Sequence, residues 1–142
     1  MTTSHKAATI TVQVTVNAPV EKAWKIWNGP EHITQWCTGS PDWHTPRAEN
    51  DLRVGGTLRS RMEAKDGSAG FDFIATYSDV QKYKTIAYTM EDGRNVKIAF
   101  STDGKTTTLV ETFDAENENP IELQREGWQA ILNNFKAHVE SI

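Results

Sequence analysis

Residues Asn119–Ile142, NPIELQREGWQAILNNFKAHVESI, decide the fold. Trp128, Ile131, Leu132, Phe135 and Val139 follow one another at steps of three, one, three and four, which gathers them on one face of a 3.6-residue helix. Glu122, Arg125, Glu126, Asn133, Lys136 and Glu140 fall mostly on the other side. Asn119 suits an N-cap, Pro120 the first helical position, and Glu122 the acidic place of a capping box. At 1.5 Å per residue such a helix runs roughly 30–35 Å. An element that long, with one wide apolar face, has to lie across something equally long, and the β-rich middle of the chain is the only candidate. The spacing therefore predicts an α+β domain in which a curved antiparallel sheet grips a long C-terminal helix.

Upstream of the helix, Ile10, Val12, Val14 and Val16 alternate with Thr11, Gln13 and Thr15, the pattern of a half-buried strand. Asn17-Ala18-Pro19 ends it. Val20, Ala23, Trp24 and Trp27 make a helical stripe closed by Gly29-Pro30, and Glu31–Trp36 is a short second helix. Cys37–Asn50 reads as a loop, because Gly39, Ser40, Pro41, Asp42 and Pro46 break any period. Strands are expected at Asp51–Val54, Thr57–Ala64, from Phe71 to Tyr77, and at Thr85–Met90, Arg94–Phe100 and Thr106–Phe113. Gly55-Gly56, Lys65–Ser68, Asp92-Gly93 and Asp103-Gly104 supply the turns. The expected order is one strand, two short helices, six strands and the long helix.

Turn length fixes which side chains share a face. A two-residue type I′ turn at Asp103-Gly104 sets Ile98 against Leu109 and Val96 against Glu111. The same turn at Asp92-Gly93 would throw Tyr88 and Met90 onto the face opposite Val96. A three-residue loop with Gly93 in a bulge keeps them together, and it is preferred because a one-residue slip exposes a whole apolar set. Glu111 then shares the inward face with Leu109 and Phe113, with Arg94 diagonally across the hairpin. A carboxylate there is paired or has a raised pKa. It reads as a polar anchor or general base, or as a core group satisfying one hydrogen bond, or as a surface residue if the register slips.

Composition narrows the classes. A chain of 142 residues suits one domain over 9–142, with a frayed tail over 1–8, and can bury a core without staples. Its 37% hydrophobic content plus nine Gly comes close to the globular norm, which argues against disorder. The net charge is −4 with no basic run, so a nucleic-acid surface is not expected. The single Cys37 cannot form an internal disulfide, and no run of 18 apolar residues marks a membrane span. The polar first eight residues lack a signal-peptide core, so a cytoplasmic protein is expected. His32, Cys37, Asp42 and His44 lie close together but match no zinc spacing, and neither a metal nor a cofactor is expected. Trp24, Trp27 and Trp128 sit on helical stripes and read as core. Trp36, Trp43 and His44 flank the irregular loop and form a candidate lid. Arg59 and Arg61 alternate away from Leu58 and Met62, as on a solvated strand face.

The stretches Asn17–Trp24, Pro30–Trp36, Asp51–Thr57 and Gly127–Lys136, taken together, resemble the START-like helix-grip superfamily. More narrowly, they resemble the homologues of the activator of heat-shock-protein-90 ATPase, over roughly Thr9 to Glu140. The resemblance implies a seven-stranded antiparallel sheet around the long helix, with a cavity between them. On that basis the expected function is binding of a small apolar or aromatic, lipid-like molecule. The expected cavity lining is Phe73, Tyr88, Ile98, Phe100, Glu111, Phe113, Trp128, Leu132 and Phe135. Two other readings stand beside it: a protein-interaction module stimulating a chaperone ATPase, and a cyclase- or aromatase-type enzyme with Glu111 or His44 as acid–base group. The superfamily's eukaryotic chaperone activator carries a further N-terminal domain for which this chain has no room, so strong activation by this chain alone is not expected.

Overall fold

Alternation along β1 (Thr9–Val16) buries Ile10, Val12, Val14 and Val16 and leaves the threonines and Gln13 exposed. The computed structural model describes residues 8–38 and 40–142, so the expected tail lies outside the described residues except for Ala8, whose carbonyl accepts from the Ala115 amide at 2.8 Å. After β1 come α1 (Val20–Asn28) and α2 (Pro30–Trp36), then β2 (Trp43–Asn50), β3 (Thr57–Ala64), β4 (Gly70–Gln81), β5 (Thr85–Met90), β6 (Asn95–Thr102), β7 (Thr107–Asp114) and α3 (Ile121–Ser141). The seven strands form one curled antiparallel sheet in the order β1-β7-β6-β5-β4-β3-β2. The first strand returns to pair with the last, and β1 and β2 are the edges.

α3 lies in the hollow of the sheet. Leu132, Phe135 and Val139 are fully buried, and the Phe135 ring meets Trp27 and Trp36 at centroid distances of 5.0 and 5.1 Å. Burying each such side chain contributes about 1.5–3 kcal/mol. The outer side of the helix also grips β1 along its free edge. Gln129 Nε2 donates to the Gln13 carbonyl at 2.9 Å, and the Gln13 amide donates back to Gln129 Oε1 at 3.4 Å. Lys136 Nζ donates to the Thr15 carbonyl at 2.7 Å, and the Asn17 amide donates to Glu140 Oε2 at 2.7 Å.

Four details differ from the sequence reading. The second strand of the sheet is Trp43–Asn50, where a loop was expected, and Asp51–Val54 is a turn. Pro46 is tolerated because β2 is an edge strand and its register shifts between His44 and Arg47. The following turn is pinned to β4, with the Gly55 amide donating to the Tyr77 carbonyl and the Tyr77 amide to the Gly56 carbonyl, beside the bulge between Tyr77 and Asp79. Gly56 has no substitute there, since a Cβ would sit 2.1 Å from the Asp51 carbonyl oxygen.

The β6–β7 loop holds Asp103–Thr106 rather than two residues, because Asp103 Oδ1 accepts from both the Lys105 and Thr106 amides. Ile98 therefore faces Glu111 and Val96 faces Phe113. The shift is two residues, so each side chain keeps its expected face. The β5–β6 pair keeps the expected register, with Tyr88 opposite Val96 and Gly93 at φ +90°. At the start of α3, Pro120 takes the cap position with no side-chain cap bond. Gln124 ties that end instead, accepting from the Glu116 amide and donating to the Glu116 and Asn119 carbonyls. Finally, Trp128 is half-buried rather than buried, stacked on Phe113 with centroids 3.8 Å apart.

Candidate ligand cavity

The inward face that β3, β4 and β5 turn toward the N-terminal half of α3 is not filled by side chains. A cavity of about 380 Å³ lies there. The strand period supplies its walls: Leu58, Ser60 and Met62 from β3, Phe71, Phe73 and Tyr77 from β4, Tyr88 and Met90 from β5, and Glu111 from β7. Trp128 and Ile131 of α3 form the opposite wall, and Trp27, Asn28, Ile33, Trp36 and Cys37 close the end made by α1 and α2. Phe71 and Asn119, both exposed, mark where the space reaches solvent.

The polar groups in this apolar space are few. The Tyr77 hydroxyl donates to Asn50 Oδ1 at 2.6 Å, Asn50 Nδ2 donates to the Asn28 carbonyl at 2.9 Å, and Asn28 Nδ2 donates to the Trp24 carbonyl at 2.9 Å. That relay ties β4 and β2 to the end of α1. Asn28 Oδ1 is buried with no donor among the described residues. Glu111 is 4% exposed, between Val12 and Ile98 on the neighbouring strands. Burial pushes its carboxyl up to about 8, and among the described residues no opposing charge or hydrogen bond lowers it. At neutral pH it is therefore mostly a neutral acid. The Tyr88 hydroxyl is held well above its ordinary value by burial and then by Glu111. The same two causes push the Cys37 thiol up to about 12.

Of the residues expected to line a cavity, Phe73, Tyr88, Glu111 and Trp128 do so. Ile98, Phe100, Phe113, Leu132 and Phe135 lie in the packed layer beside it. Phe113 is covered by the Trp128 ring, while Leu132 and Phe135 sit on the part of α3 that closes against β1, α1 and α2. Of the candidate lid, Trp36 is a fixed wall: it is buried, stacked on Trp27 at 4.7 Å, and its Nε1 donates to the Ile26 carbonyl at 3.1 Å. Trp43 and His44 line an adjoining hollow of about 290 Å³ that shares Cys37, Met62, Phe71 and Ile131 with the main cavity. His44 is exposed, 3.8 Å from Glu63. Arg94 borders the cavity, but its Nε donates to Asp92 at 2.8 Å, not to Glu111. Arg61 is held on the outer face by Glu63 and Asp72.

Two polar participants and one histidine pair escaped the sequence reading. Asn28 stands four residues after Trp24 on the apolar stripe of α1, and a polar residue on such a stripe is a usable signal. Asn50 belongs to the strand read as loop. His32 and His138 meet at 3.0 Å between Nδ1 and Nε2, joining α2 to α3, and no local pattern announces that pair. Among the described residues, no group of three or more His, Cys, Asp or Glu is placed to hold a metal ion, and no helix is long and apolar enough to cross a membrane.

Residues 17–140 match the family model described as Activator of Hsp90 ATPase homolog 1-like protein. The chain belongs to this family. Among solved structures, this family member is similar to the AHSA1-like protein from Aeromonas hydrophila, with 41% identity, 94% of this chain and 93% of that one covered, and a TM-score of 0.88. It is also similar to Chr148 from Cytophaga hutchinsonii, with 55% identity, coverage of 93% and 92%, and a TM-score of 0.81. NE0264 from Nitrosomonas europaea shares the fold at 16% identity, with coverage of 98% and 97% and a TM-score of 0.80. No curated protein matches the chain.

Proposed function

We propose that this family member binds a small, mostly apolar, ring-bearing molecule in the cavity beneath Trp128. The supporting observation is a space of about 380 Å³ walled by aromatic and aliphatic side chains, with one unpaired carboxyl on its wall. That combination of apolar surface for affinity and one or two polar points for orientation is what small-molecule sites use. The volume falls within the range of such sites, ~300–1,000 Å³. The test is a nitrogen-15 NMR titration with a panel of small aromatic compounds. Saturable shifts at Tyr88, Glu111 and Trp128 are expected. Shifts confined to the outer faces of the sheet, or none with any compound, would overturn the proposal.

A second reading gains support from the same carboxyl. A group that titrates near neutral pH beside a phenol is suited to donating and taking up a proton, as a cyclase-type reaction requires. The same titration separates the two. A bound compound recovered unchanged after long incubation supports the binder, whereas conversion that disappears in Glu111→Gln supports the enzyme.

A further inference from the structure

Resting on the binding reading above, we infer that the cavity takes an organic cation: an aromatic amine whose ammonium group faces the Glu111 carboxyl while its ring lies among the wall rings. Three observations converge on this class. First, the unsatisfied oxygens can receive a ligand's N–H groups: Asn28 Oδ1 is purely an acceptor, and Glu111 becomes one when it gives up its proton. Among the described residues Glu111 has neither a basic nor a hydrogen-bonding partner, and Asn28 Oδ1, on a residue 9% exposed, has no donor. A buried acceptor without a donor is costly, and a ligand supplying N–H groups relieves the cost. Second, Trp27, Trp36, Phe73, Tyr77, Tyr88 and Trp128 present rings to the space, and aromatic faces attract a desolvated cation. Third, the charges already there do not favour an anion. The bordering Arg94 is held by Asp92, and Glu116 also borders the space. A ligand carboxylate would have to lie among acidic groups.

The assignment carries a proton signature. The amine arrives as the ammonium ion, Glu111 enters as the neutral acid, and the bound pair is ammonium against carboxylate. One proton leaves Glu111 Oε for solvent, and no other bond changes. The remaining titratable groups facing the space are Cys37 from the segment after α2, Tyr77 from β4, Tyr88 from β5, Arg94 after β5 and Glu116 after β7. Burial keeps the thiol and both phenols protonated well above neutral pH, so they do not supply the proton.

The experiment is isothermal titration calorimetry in buffers of different ionisation enthalpy, with three probes of one shape: naphthylethylamine, naphthylethanol and naphthylacetate. At neutral pH the amine should bind on the order of tenfold or more tighter than the alcohol, as a hydrogen bond to a charged group does. Naphthylacetate should bind most weakly. The amine should release nearly a full proton near neutral pH, and the release should fade as the pH passes well above 8. In Glu111→Gln both the advantage of the amine over the alcohol and the proton release should vanish. The release by the unaltered protein decides the matter if that variant does not fold. Alcohol or acetate binding as tightly as the amine, or amine binding without proton release, overturns the cation assignment and leaves the cavity reading standing. Failure of all three probes to bind overturns the assignment and the cavity reading together.

Discussion

Replacing Glu111 by glutamine should change how stability depends on pH, and the size of the change follows from its surroundings. The folded chain holds the Glu111 proton up to about pH 8, whereas the unfolded chain releases it near 4.5. Folding is then favoured by proton binding. This contribution is fully present below pH 4.5 and is lost as pH rises through 8, where the folded state too must ionise a largely desolvated carboxyl. Within that interval each pH step changes the folding free energy by about 1.4 kcal/mol, which sets a ceiling of about 4–5 kcal/mol between the two limits. Water entering the cavity lowers it. His138, pulled below its ordinary value by burial and by His32, acts with the opposite sign, losing stability as pH falls. His138 and the paired surface carboxylates are common to both proteins and cancel in the difference. Urea unfolding followed by tryptophan fluorescence, at intervals from pH 5 to pH 9, should show the parent losing stability relative to Glu111→Gln by several kcal/mol at alkaline pH. Parallel profiles for the two proteins would refute the burial argument and would remove Glu111 as the polar point of the cavity.

Other perturbations test the rest of the frame. Phe135→Ala removes a fully buried ring lodged between Trp27 and Trp36 and should cost about 3–5 kcal/mol in urea unfolding. Trp128→Ala should cost less, about 1–3 kcal/mol, because the indole is half-buried and its main loss is the stack on Phe113. An unchanged midpoint for either would count against the grip of helix on sheet. The Cys37 thiol should react slowly with a disulfide reagent at mildly alkaline pH in the folded protein and rapidly in urea, since burial and Glu111 keep it protonated. Equal rates in the two conditions would place it at the surface.

The large features were legible because they rest on periodicity. The five apolar positions of Asn119–Ile142 and the alternation in six of the seven strands survive any error of local geometry. Glu111 shows why the site was partly legible as well. The β6–β7 loop holds four residues where two were expected, yet a strand repeats every two residues, so the carboxyl still points inward. β2 was hidden for the opposite reason. An edge strand pairs on one side only, tolerates Pro46 and carries no clean alternation, so nothing local separates it from a loop. The division between wall and core was beyond reach. Phe113 and Phe73 look alike in the sequence, and only the lean of Trp128 onto Phe113 puts one ring in the packed layer and leaves the other facing open space.

The bonds from α3 to the outer edge of β1 bear on how this chain keeps apart from its own copies. An unpaired strand edge is a template on which another chain can add a strand. Here Gln129, Lys136 and Glu140 occupy the outward backbone groups of Gln13, Thr15 and Asn17. The helix that covers the sheet's apolar face thus also guards the Gln13–Asn17 stretch of that edge against fibril growth and strand exchange. Because α3 follows the sheet in the chain, β1 leaves the ribosome well before its guard. In that interval the alternating valines of β1 lie open to a neighbouring nascent copy, and the hazard ends when α3 docks.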